Sequence, residues 1–194
     1  MQFETWTKGL ADLAIDCVAV GVFDDGELTA EARALDQRCG QKLSRLLKRG
    51  DFTGKPGESW LVADVDGIAA ERVLLVGLGA QSKDKAKDAF TRRGWRRAVV
   101  TSISAATRTR ITSLALALPR PAARLLSDER FGRAIAEITG HTLYRVNDLK
   151  TAKKPKPPVL EKIFIGPVKA SNIAVAKRGL EHGLQVGPPG AGGR

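Results

Sequence analysis

Two stretches hold the residues whose types and spacing could do chemistry. The first is Arg72-Val-Leu-Leu-Val-Gly-Leu-Gly79, where Gly77 and Gly79 form G-x-G at the end of an apolar run. Glycines there let the chain turn sharply and let a phosphate approach the backbone. The third glycine of a dinucleotide fingerprint would fall at position 82, which is Ser82. The pair is therefore read as a tight turn rather than a nucleotide site. The second stretch is Arg92-Arg-Gly-Trp-Arg-Arg97, four arginines around one Trp. Basic residues interleaved with an aromatic suit single-stranded nucleic acid, with cations on phosphates and the ring stacked on a base. The same pattern suits a helix that buries Trp95 and turns Arg92, Arg93, Arg96 and Arg97 to water, and this is the preferred reading. A second basic group, Lys153, Lys154 and Lys156, lies in the Lys/Pro-rich segment 150–158. Its prolines forbid a helix interior, so it reads as an extended surface arm.

Other reactive side chains do not assemble. His141 and His182 are isolated and share no ligand spacing with an acid or thiol. Asp64 and Asp66 are spaced acids, but the remaining oxygen ligands of a calcium loop are missing. Cys17 and Cys39 make no C-x-x-C and read as reduced, buried thiols of a cytoplasmic protein. There is no G-x-S-x-G, H-E-x-x-H or P-loop. No catalytic or metal-ligating residue is assigned, and no cofactor is expected in this chain. No apolar run nears the ~18 residues of a membrane span. Met1–Trp6 has neither the basic nor the apolar region of a signal peptide.

The 194 residues carry a net charge of +11, unevenly spread. Residues 1–70 hold 8 Lys/Arg and 12 Asp/Glu, whereas residues 71–194 hold 24 and 9. The basic part suits an acidic partner, with nucleic acid the leading candidate, although charge alone supplies only the nonspecific part of binding.

The elements that must position these residues follow from the apolar pattern. Val73–Val76 form a continuous apolar run, which predicts a central strand covered on both faces. Strands are also predicted over 16–23, 59–63, 111–118 and 159–165. Thr29 should cap one helix running to Gly50, with Leu35, Leu43, Leu46 and Leu47 on one face. Further helices are expected from Ser82 to about Ala106, from Leu125 to Ile138 with Gly140 as its stop, and from Ser171 to about Val186. This order predicts an α/β domain with a mixed, mainly parallel sheet flanked by helices.

Three stretches together resemble a known family. Val73-Leu-Leu-Val-Gly-Leu-Gly79 follows Gly-Glu-Ser-Trp at 57–60; Leu143-Tyr-Arg-Val-Asn-Asp-Leu-Lys150 is similar to Y-R-F-D-x-Y/F-K; lysines and prolines follow at 153–158. In this order they resemble the amino-terminal domain of the leucyl aminopeptidases, or cytosol aminopeptidases (peptidase family M17), over residues 1 to about 186. The resemblance implies a macro-domain-like fold without catalytic residues and a structural, assembly or regulatory role. In the complete enzyme it implies a larger domain with two divalent metal ions, Mn or Zn, a peptide substrate trimmed at its amino terminus, and a homo-oligomeric hexamer. It also admits DNA as a partner, since some bacterial members act as DNA-binding proteins, and ADP-ribose by analogy with macro domains. The resulting division is 1–150 for the macro-like domain, 151–186 for arm, strand and linker helix, and 187–194 for a Gly/Pro-rich tail. The tail departs from the family pattern, and a truncated or frame-shifted gene is expected.

Overall fold

A strand that is apolar on both faces is stable only between two covering layers. β2 (Cys17–Phe23) is buried at every position, and β4 (Arg72–Gly79) at every position after Arg72. The computed structural model describes residues 1–6, 9–81, 91–120, 127–148, 160–166 and 173–185. It pairs these two strands in a six-stranded sheet completed by β1 (Gln2–Thr5), β3 (Ser59–Ala63), β5 (Ser113–Ala117) and β6 (Lys162–Ile165). The strand order is β1-β6-β5-β2-β4-β3. Every neighbouring pair is parallel except β3 with β4. This is the mixed, mainly parallel sheet that the apolar runs predict. The short edge strand β1 is an addition: four residues, alternately exposed and half-buried, give little sequence signal.

The two faces have separate cores. Val18, Val20, Val22, Val73 and Leu75 point to one face, under Ala32 and Leu35 of α1 (Ala30–Arg38) and Leu43 of α2 (Lys42–Leu47). Cys17, Ala19, Leu74, Val76, Leu114 and Leu116 point to the other. That face is covered by α3 (Arg92–Arg108) and α4 (Asp128–Asp148), with α5 (Ile173–Gln185) packed on α4. A Cβ on Gly179 would lie 2.0 Å from the Glu129 carbonyl oxygen, so α5 rests backbone-to-backbone on α4. β6 and α5 both come from the segment after the Lys/Pro arm. They supply an interior strand of the sheet and a helix packed on α4.

Two helices differ from the sequence expectation. The single helix from Thr29 to Gly50 is two helices, because Gly40 and Gln41 are both left-handed (φ 60°). The break lets Leu43 enter the core, and the buried Asp36 ties the pieces together by accepting from Ser44 N and Ser44 Oγ. Thr29 caps α1 as expected, accepting from Ala32 N at 3.3 Å. Gly140 does not stop α4, which continues to Asp148, with Thr139 and Thr142 buried beyond the expected end. The expected helix start at Ser82, the arm, Ser171 and the tail lie outside the described residues. Cys17 and Cys39 are both buried and unpaired, and burial pushes the Cys17 thiol up to about 12.

At the amino ends of β2 and β5, Asp16 joins segments almost a hundred residues apart. Its carboxylate accepts from Thr112 N (2.7 Å), Thr112 Oγ1 and Ser113 N (3.2 Å), while Asp16 N donates to Ser113 Oγ (2.9 Å). Burial pushes this carboxyl up, but the hydrogen bonds from Thr112 and Ser113 together outweigh it and hold the group below its ordinary value. Its stabilising contribution is therefore complete above the unfolded value, ~3.9, and is lost as pH falls through the folded value. Asp16→Asn should lower stability by about 1–3 kcal/mol at pH 7 and should flatten the acid limb of the stability curve. Urea melts of both proteins from pH 7 down to pH 2.5 check this; a constant difference over that range would contradict it.

Candidate functional site

The parallel strands β2, β4 and β5 end on the same edge of the sheet, where α/β folds commonly hold ligands. The first turns of α3 reach this edge. The Arg97 guanidinium lies 3.0 Å from where a Cβ on Gly57 would stand, and Gly57 belongs to the loop over the end of β4. Thr91 caps α3, accepting from Gly94 N at 3.1 Å, and no acid occupies its first turn. Arg92, Arg93, Arg96 and Arg97 are all exposed there. Arg92 with Arg96, and Arg93 with Arg97, are like charges at i,i+4 beside the positive end of a helix dipole. Each arrangement is locally unfavourable by a few tenths of a kcal/mol. No ion pair joins these four to an acid among the described residues, so their charge faces outward.

Trp95 does not join them. It is 4% exposed, with its ring 5.4 Å from that of Phe131 in a tilted contact. The Arg120 guanidinium covers the other ring, 3.9 Å from the Phe131 centroid, and bonds Asp128 at 2.5 Å. The aromatic between the arginines is core, as preferred from sequence, and it offers no stacking surface to a base. Lys153, Lys154 and Lys156 lie outside the described residues. His141 is exposed, and His182 Nδ1 lies 3.7 Å from Glu129 Oε1 on the outside of the α4–α5 pair. Among the described residues no three His, Cys, Asp or Glu are grouped so as to hold a metal ion. The described residues therefore do not fit the two-metal centre that the resemblance associates with a complete enzyme.

The G-x-G pair is not the tight turn expected from sequence: Gly77 and Gly79 are still in β4, paired with Val22 and Phe23 of β2. The loop 53–58 crosses the end of β4. Gly79 N donates to Gly54 O (2.9 Å) and Gly77 N to Glu58 O (3.0 Å). A Cβ on Gly77 would stand 2.0 Å from Lys55 O, and one on Gly54 would stand 2.2 Å from Phe23 O. The glycines permit backbone to pass over backbone. Within the loop, Lys55-Pro56-Gly57-Glu58 is a type II turn, with Glu58 N bonded to Lys55 O (3.0 Å) and Gly57 at φ +94°. The Glu58 carboxylate accepts from Thr53 Oγ1 (2.8 Å), Thr53 N (3.2 Å) and Lys55 N (3.3 Å). The Thr53 hydroxyl is the largest influence that lowers its carboxyl below the ordinary value. The Pro-Gly pair marked this turn in the sequence, but nothing there marked Glu58 as its anchor.

A six-stranded mixed sheet between two helical layers, with no assembled catalytic group among the described residues, defines a macro-domain-like α/β domain. The N-terminal domain of the cytosol aminopeptidase family matches residues 19–153. A probable cytosol aminopeptidase of Alkalilimnicola ehrlichii is 34% identical over 96% of this chain and 36% of its own length. Among solved structures, a mutant tomato leucine aminopeptidase overlays 94% of this chain and 35% of its own, with TM-score 0.68 and 19% identity. The macro domain of ganglioside induced differentiation associated protein 2 overlays 91% and 81%, with TM-score 0.58 and 13% identity, a likeness of fold alone. The chain belongs to the cytosol aminopeptidase family and spans about a third of the length of the curated relatives it matches.

If Trp95 is core and the arginines are surface, their substitutions separate cleanly. Trp95→Ala should cost about 3–5 kcal/mol of stability. Arg93→Ala or Arg96→Ala should change it by no more than about 0.5 kcal/mol. Chemical denaturation of the three variants checks this, and a small loss for Trp95→Ala would place that ring outside the core.

Proposed function

We propose that this chain is the amino-terminal, non-catalytic domain of a leucyl aminopeptidase, with a structural, assembly or regulatory role. The observation that carries this reading is the match of residues 19–153 to the family's N-terminal domain in a chain that spans 36% of a relative's length. In the complete enzyme, a separate domain with two divalent metals, Mn or Zn, removes amino-terminal residues from peptides, and the assembly is a homo-oligomer, a hexamer. Residues 151–186, as arm, strand and linker helix, would lead toward that domain from the macro-like residues 1–150. The family name of the relatives supports a cytoplasmic location. Among the described residues no helix is long and apolar enough to cross a membrane. The purified chain should not turn over leucine amide with Mn or Zn added; measurable turnover in a homogeneous preparation would sink the non-catalytic reading.

A second reading, DNA binding, is favoured by one observation. Arg92, Arg93, Arg96 and Arg97 are exposed together on α3, against local electrostatic preference and with no acid among the described residues to pair them. The arm lysines Lys153, Lys154 and Lys156 would add to the same field. With Trp95 buried, binding would run through phosphates, which makes affinity depend steeply on salt. A duplex titrated at increasing salt should give a linear fall of log affinity with log salt. Replacing the four arginines by Ala should reduce that slope by ~0.9 for each phosphate that the protein no longer neutralises. Absence of any gel shift at low salt would remove this reading.

A further inference from the structure

We infer that loop 53–58 is a built-in strap that takes the place of an anionic ligand at the carboxyl end of β4, closing this crevice to nucleotide phosphates. In folds of this kind a phosphate is held by backbone N–H groups of a glycine-rich turn beyond a strand. Here the G-x-G pair lies within the end of β4 rather than in a turn beyond it, and the amides of both glycines are already used. Gly77 N donates to Glu58 O and Gly79 N to Gly54 O, both at ordinary hydrogen-bond length. The strap presents carbonyl oxygens, Lys55 O and Gly54 O, at the surface of Gly77 where a phosphate oxygen would have to come. At Gly77 itself oxygen would meet oxygen, and the space is filled.

The strap is also held from within and from both sides. The Glu58 carboxylate accepts from Thr53 N, Thr53 Oγ1 and Lys55 N, which closes the six residues into a ring. Just before the strap, the buried Phe52 stacks on Trp60 at 6.5 Å. Gly54 packs on the Phe23 carbonyl at the end of β2, Pro56 packs on Gly79, and the Arg97 guanidinium lies over Gly57. The strap therefore spans the ends of β2 and β4 and touches α3. It completes the sheet at the point where related topologies leave room for a ligand.

Amide NMR of the full chain tests this with two probes, ADP and inorganic phosphate. In the unaltered protein neither should shift Gly77 or Gly79 at millimolar concentration, and both amides should exchange with solvent slowly. Saturable shifts of those amides by ADP or phosphate would overturn the inference. In the Thr53→Val, Glu58→Ala double variant, exchange at Gly77 and Gly79 should rise at least about tenfold relative to Val73–Leu75, because only the strap is released. Unchanged protection in that variant would show that Glu58 does not hold the strap and would overturn the lock. The substituted side chains lie on exposed loop positions away from both cores, so the sheet should survive their replacement.

Discussion

The structure depends on β2 being apolar on both faces. A strand of this kind buries side chains at a gain of about 1.5–3 kcal/mol for each Val or Leu, but only if something lies above and below it. Val18, Val20 and Val22 demand one helical layer, while Cys17 and Ala19 demand the other. With both faces committed, β2 can be neither an edge nor a hairpin arm, and its neighbours β4 and β5 must arrive by crossovers. The helices lie where those crossovers have to run. Cys17 is caught in the same constraint, which is why its thiol is pushed so far from the reactive range.

The two ends of this sheet are finished differently. At the amino end, Asp16 accepts hydrogen bonds from the start of β5 and fixes β2 against it. At the carboxyl end, the chain itself crosses the strands, and the G-x-G glycines let it come within touching distance of their backbone. The first finish uses a half-buried charge satisfied by amide and hydroxyl donors; the second uses the absence of side chains. Neither leaves buried side-chain oxygen or nitrogen without a partner among the described residues.

Helix α3 divides its residues between two tasks. Trp95, Ala98, Val99 and Ile103 face the sheet and fix the helix in place. Arg92, Arg93, Arg96 and Arg97 lie in the turns that reach the carboxyl edge and remain in solvent. Their mutual repulsion is a small local loss that the packing of Trp95 on Phe131 easily outweighs. Charge here is carried by a rigid element rather than by a loop, so its direction is set by the core.

What the sequence determined alone was the kind of fold and the family. The continuous apolar runs at Val73–Val76 and in β2 required a covered, mainly parallel sheet, and the order of short motifs from Gly57 to Pro158 identified the relatives. Local signals such as the Thr29 cap were legible because a cap depends on residues only a few positions apart. The break at Gly40 and Gln41 was not legible, since Leu43 reaches the core only if two successive residues turn left-handed. The continuation of α4 past Gly140 was not legible either, since it goes with the burial of Thr139 and Thr142, which packing decides. Tertiary structure alone decided that β6 belongs inside the sheet and that Gly77 and Gly79 face their own chain. Each of these joins segments far apart in sequence, and a pattern read along the chain records what a residue can do but not what folding brings against it.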